Sequence, residues 1–202
     1  FRQGIYQEFK THYEEYITYG GFPEVVLGND KEDKTAYLKD VINAYIELDI
    51  KLLSDFEASN TLYRLIRLLA SRIGSKVDYT KLSGILGISR QKVKSYIQLL
   101  EKTYFIQLIS PYTHNTDNEI KRQQKIYFTD TGLANQLARL NEGQLLENVM
   151  AAQLRLLGEL HFYQRKNGQE IDFILNRDTA IEVKETPTEH DLTLLKQRAF
   201  SI

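Results

Sequence analysis

The sequence predicts an α+β protein: a helical first part, three further helices closed by a β-hairpin, then a small mixed sheet flanked by helices. Apolar residues recur at helical spacing as far as about residue 102. Short β-branched and aromatic runs dominate beyond Leu157, and Gly- or Pro-containing breaks separate the segments. With 42% hydrophobic and 26% charged residues, the 202-residue chain has an ordinary globular balance and enough length to bury one or two cores. No apolar run approaches a membrane span, and no charged-then-apolar leader is present. The lack of cysteine excludes disulfides and thiolate metal sites and fits a cytoplasmic location. The chain starts at Phe1 and its single methionine is Met150, so a fragment of a longer protein is expected.

Residues 5–19 carry Tyr6, Phe9, Tyr13, Tyr16 and Ile17 at helical spacing, and Gly20-Gly21-Phe22-Pro23 should end that helix. Asp30 to Asp33 offer capping groups for a long helix from Lys34 to Phe56, with Tyr37, Leu38, Val41, Ile42, Tyr45, Ile46 and Leu48 forming its apolar side. Leu62, Leu65, Ile66, Leu68 and Leu69 mark the next helix, ending near Gly74. Tyr79 to Leu86 forms a short one, and Gly87-Ile88-Ser89 turns the chain. Ser89 can cap a helix from Arg90 to Lys102 with Val93, Ile97, Leu99 and Leu100 inward. Phe105–Tyr112 and Gln124–Phe128 read as strands joined by a polar loop. Three helices and a hairpin give a winged helix-turn-helix over 59–132, after a helical region over 1–58.

Charge is uneven. Residues 1–58 hold 6 basic against 12 acidic side chains, residues 59–129 hold 12 against 4, and residues 130–202 hold 8 against 11. A basic middle between acidic flanks suits a polyanion, and DNA is the expected partner. Arg90 and Gln91, at the start of the expected recognition helix, match guanine and adenine edges, and Lys92 and Lys94 match phosphates. Lys121, Arg122 and Lys125 would contribute from the wing.

The last third, 133–202, reads as helix (Gly143–Leu157), strand (Leu160–Gln164), a turn at Asn167-Gly168, strand (Glu170–Leu175), strand (Ala180–Lys184) and helix (Glu189–Ala199). Residues two apart in a strand share a face, so Glu182 and Lys184 point the same way. If Asp172 pairs beside Glu182, two carboxylates and an ammonium converge, which is equipment for a divalent ion and a charged phosphoryl transition state. The bland alternative for Glu182 and Lys184 is a surface ion pair of little energetic weight. Gln164, Arg165 and Lys166 read better as edge-strand solubilisers than as phosphate contacts. His12, His114, His161 and His190 show no mutual ligand spacing, so no zinc site is expected.

Several motifs in order carry a resemblance: Gly20-Gly21-Phe22-Pro23-Glu24-Val25, Leu82 to Val93, Tyr127-Phe128-Thr129-Asp130-Thr131-Gly132-Leu133, and Gly143-Gln144-Leu145-Leu146-Glu147-Asn148. Together they resemble the C-terminal half of a prokaryotic family of AAA-type ATPases, in which an ATPase module is followed by a winged helix and a restriction-endonuclease-like PD-(D/E)xK domain. The resemblance implies Glu147 as the helix carboxylate, Asp172 as the first acid of the motif, and Glu182-Val183-Lys184 as (D/E)xK. It further implies Mg2+ on Asp172, Glu182 and Glu147, with Lys184 serving the attacking water in phosphodiester cleavage. The usual Pro before the first acid is replaced by Ile171. No Gly-x-x-x-x-Gly-Lys-Ser/Thr loop occurs, so ATP binding and any homo-oligomer made through the ATPase belong to an upstream module. The alternative from another class is a non-enzymatic interaction or regulatory module on a nuclease-like fold, with a repressor using the winged helix alone as a third reading.

Overall fold

The structure is a computed structural model describing residues 3–51, 56–115, 117, 119, 122–165 and 168–200. Helix α1 (Gln3–Tyr19) stops at Gly20, whose φ of +82° a side chain would strain. Its first aromatics face out, with Tyr6 and Phe9 exposed; only its last turns pack on the body. Pro23 opens the short α2 (Pro23–Leu27), a helix the sequence reading omitted. The long α3 (Lys31–Lys51) buries Leu38, Ile42 and Ile46, one face at helical spacing.

Helices α4 (Phe56–Ala70), α5 (Tyr79–Leu86) and α6 (Arg90–Lys102) follow as the periodicity predicts. Asp78 caps α5 by accepting from the Lys81 N–H. Gly87 ends it at φ +70°, and the Ser89 side chain caps α6 by accepting from the Lys92 N–H. Inside α6 the buried set is Val93, Tyr96, Ile97 and Leu100. Tyr96 replaces the expected Leu99 because the 3–4 spacing from Val93 brings it inward.

One five-stranded sheet has the order β2-β1-β3-β4-β5, with β1 (Ile106–Pro111), β2 (Lys125–Phe128), β3 (Leu160–Gln164), β4 (Glu170–Leu175) and β5 (Thr179–Ile181). All pairs are antiparallel except β1 with β3, which run parallel through Ser110–His161 and Pro111–Phe162. The expected wing hairpin is therefore continuous with the later sheet. Helices α7 (Thr131–Leu137) and α8 (Glu142–Leu154) connect the two, and α9 (Glu189–Ala199) packs on β4 and β5. The α7 helix was not legible in the periodicity. Among the described residues no helix is long and apolar enough to cross a membrane.

Two of the motifs that carry the family resemblance, Gly20–Val25 and Tyr127–Leu133, meet at one joint. Asp130 caps α7 through the Leu133 N–H (3.0 Å) and also accepts from the Gly21 N–H (2.9 Å). Burial pushes its carboxyl up, while those backbone donors oppose the shift. Gly132 lets α7 lie against α1, since a Cβ there would sit 1.9 Å from the Tyr19 carbonyl oxygen. Gly132→Ala should therefore cost about 3 kcal/mol, because backbone rather than a flexible side chain must yield. A urea melt within about 0.5 kcal/mol of wild type would show that α1 can move away freely.

Candidate metal centre

Strand alternation sets the site. On β4, Ile171 and Phe173 point into the interior, and Glu170 and Asp172 share the opposite face. Phe173 pairs with Ile181, so the next pair in the same register is Asp172 with Glu182. The strand predicted to reach Lys184 ends at Ile181. Beyond it the Val183 N–H donates to Asp172 Oδ2 (2.8 Å), a side-chain acceptor in place of a ladder carbonyl. Lys184 Nζ returns to Glu182 Oε1 at 2.9 Å, as expected for residues two apart on one face, and Arg198 of α9 approaches the same oxygen at 3.4 Å.

Glu147 arrives from α8, whose start is fixed by a capping box between Asn141 and Gln144. A cleft of about 360 Å³ is lined by Glu147, Asp172, Val183, Lys184 and Glu185 together with Gly143, Leu146 and Thr186. Three of the four expected catalytic residues thus share one cavity. Glu182 stands just behind it, and its Oε2 is buried and accepts no hydrogen bond from any described residue.

The electrostatics are those of crowded carboxylates. Burial, opposed by the Val183 N–H and reinforced by Glu182 and Glu147, pushes Asp172 from the usual 3.8 to about 6. The hydrogen bond to Glu182 raises Lys184, so its ammonium stays protonated. That favours charge stabilisation over proton abstraction among the roles expected for it. Oxygen donors, one of them buried and unpartnered, suit a hard divalent cation such as Mg2+.

Three contributors were missed by sequence reasoning. The Tyr127 phenol donates to Glu147 Oε1 at 2.6 Å, and burial followed by Glu147 raises its pKa, so it remains a donor. Lys125 lies 3.5 Å from the same oxygen, makes a short ion pair with Glu170, and has the Phe162 ring 5.4 Å from its ammonium. Gly74, at φ +75°, admits the Glu147 carboxyl, since a Cβ there would lie 2.8 Å from Oε2. The available signal was that Lys125 and Tyr127 alternate on one strand face, but nothing local placed that face over α8.

The expected DNA-contacting residues divide. Arg90, Gln91, Lys92 and Lys94 are exposed on the first turns of α6, and Lys92 Nζ lies 5.1 Å from the Tyr96 ring. Arg122 is exposed, whereas Lys121 lies outside the described residues. Lys125 is corrected: it is 5% exposed and engaged by carboxylates, so it is not a phosphate contact. Desolvation opposes its charge, but Glu147 and Glu170 outweigh it and raise its pKa.

A second cluster joins residues far apart in sequence. Buried His161 has Nδ1 3.2 Å from Glu119 and Nε2 3.1 Å from Glu159. These three could offer ligand atoms to one ion. Arg177, however, bridges both carboxylates at 3.1 Å, and its hydrogen bond holds Glu159 below the usual carboxylate range. With an arginine already paired to both acids, the cluster is an ion network tying the β1–β2 connection to β3 and the β4–β5 turn.

Residues 10–144 match the family described as Domain of unknown function (DUF8612). The chain belongs to the DUF8612 family. In this DUF8612 chain, residues 142–200 match a second family, Domain of unknown function (DUF4143), a domain commonly found in AAA-ATPase-associated proteins. An uncharacterized protein of Methanocaldococcus jannaschii is 25% identical over 92% of the chain and 45% of its own length. One from Haemophilus influenzae is 26% identical over 89% of the chain and 48% of its own. One from Mycobacterium tuberculosis is 23% identical over 84% and 42%. The DUF8612 chain thus spans less than half the length of these curated relatives. No solved structure matches it significantly.

Proposed function

We propose that this chain is the C-terminal region of an AAA-type ATPase, combining DNA binding by a winged helix with metal-dependent phosphodiester chemistry at Asp172. The observation that carries the reading is the shared cleft of Glu147, Asp172 and Lys184, backed by the unpartnered Glu182 Oε2. The DUF4143 match and the greater length of the relatives support a longer, ATPase-associated parent protein.

Asp172 and Glu182 would hold Mg2+, with Glu147 assisting through Oε2. The bound ion would supply Lewis-acid polarisation of a phosphoryl oxygen and a more acidic water. Lys184, kept charged by Glu182, presents its ammonium at the cleft mouth to developing phosphoryl charge. Asp172, pushed up to about 6 by burial and its acidic neighbours, would be held as the full anion by a bound cation. Arg90, Gln91, Lys92 and Lys94 would meet the duplex from the exposed end of α6.

Calorimetry with Mg2+ or Mn2+, beside a plasmid-nicking assay, tests the chemistry. Asp172→Ala should lose metal heat, whereas Lys184→Ala should retain it and lose nicking at least 100-fold. Absence of metal heat in wild type would favour a non-enzymatic docking module. The DNA half predicts affinity that falls steeply with salt, through counterion release, and at least tenfold weaker binding in Lys92→Glu/Lys94→Glu. Unchanged binding in that double variant would move the interface elsewhere.

A further inference from the structure

Resting on the metal reading above, we propose that the Lys125 ammonium takes the place of a second cation, so that the centre accepts one divalent ion rather than two.

Lys125 is buried, and a charge removed from water persists only where opposite charge and hydrogen-bond partners compensate it. Its ammonium sits between Glu147 Oε1 and Glu170 Oε1. Glu170 and Asp172 share the β4 face, so Lys125 lies beside the carboxylate proposed to hold the ion, bridging acids from a helix and a strand. In two-metal sites an ion occupies such a bridging position about 4 Å from its partner. Here the Glu147 oxygen that would bridge is already taken by Lys125 and by the Tyr127 phenol.

Charge counting agrees. Glu147, Glu170, Asp172, Glu182 and the cleft-lining Glu185 are five acids, and Lys125, Lys184 and Arg198 are three permanent cations. Two negative charges are left uncompensated when all five acids ionise. A single divalent ion neutralises them, whereas a second would leave a surplus of two. Coordination capacity is left on Asp172 and Glu182 Oε2 beside Val183, and on Glu147 Oε2, the oxygen that neither Lys125 nor Tyr127 engages.

Lys125 is thus a positioning residue that holds Glu147 and excludes the second ion. The test counts Mn2+ by calorimetry and by electron paramagnetic resonance, which detects dipolar coupling between two ions about 4 Å apart. Wild type should bind one uncoupled Mn2+ per chain. Lys125→Met should bind two with a coupled spectrum, and Lys125→Arg should return to one. A coupled pair in wild type overturns the assignment without needing any variant to fold. So does a Lys125→Met chain with wild-type circular dichroism that still binds a single ion. Absence of Mn2+ from both wild type and Lys125→Met defeats the metal reading itself and this inference with it, an outcome distinct from a wrong count.

Discussion

Asp172→Asn should make the metal-free protein more stable at pH 8, by about 2 kcal/mol, while removing the Mg2+ affinity proposed for it. The unfolded carboxyl ionises near 3.8 and the folded one at about 6. Between those values the folded chain binds more protons than the unfolded chain, so stability falls as pH rises through the window and stays low above it. Below about pH 4 both states are protonated and the variant should gain almost nothing. Asn keeps an oxygen that can accept the Val183 N–H but carries no charge against Glu182 and Glu147. Urea melts at pH 3.5, 5 and 8 with chelator present read the effect directly. A gain equal at every pH would assign it to packing, and a loss at pH 8 would mean that Asp172 is satisfied as an anion without metal. Stabilisation coupled to loss of metal affinity is the signature of a ligand held in readiness.

Asn148→Ala should cost the fold about 3–4 kcal/mol. The side chain is fully buried and grips one residue of β2 at both ends: Oδ1 accepts the Phe128 N–H at 2.7 Å, and Nδ2 donates to the Phe128 carbonyl at 3.1 Å. Strand β2 is the sheet edge, and its earlier residues are already served by the backbone of 74–77. Removing the amide would strand a donor and an acceptor where water does not reach, each at about 1–3 kcal/mol. Asn148→Asp keeps the acceptor, loses the donor and buries a charge, so it should be no better. Because Glu147 precedes Asn148, the same change should loosen the Tyr127–Glu147 contact and weaken Mn2+ binding. A cost below 1 kcal/mol with an unchanged urea m-value would show that Phe128 finds other partners.

Local signals sufficed for much of this chain. The capped helix from Arg90 to Lys102 and the strands Leu160–Gln164 and Glu170–Leu175 follow from period, cap chemistry and flanking glycine alone, all encoded within a few residues. Strand parity likewise put Glu182 and Lys184 on one face before any contact was known. The β5 strand falls short of Lys184 for a reason no propensity carries: an acid eleven positions earlier captures the Val183 N–H.

What only the tertiary structure decided is which segments meet. Nothing local announces that β1 pairs parallel with β3 across about fifty residues, because a half-buried strand reads alike whichever partner covers its edge. That pairing carries Lys125 and Tyr127 onto Glu147. It turns an expected solvent-facing wing lysine into the buried counter-ion of an acidic centre. The sequence by itself determined most of the elements, though not α2 or α7, and the acids of the candidate site. The sheet crossover decided their company, because the sign and burial of a charge's neighbours come from chain segments that no short-range pattern encodes.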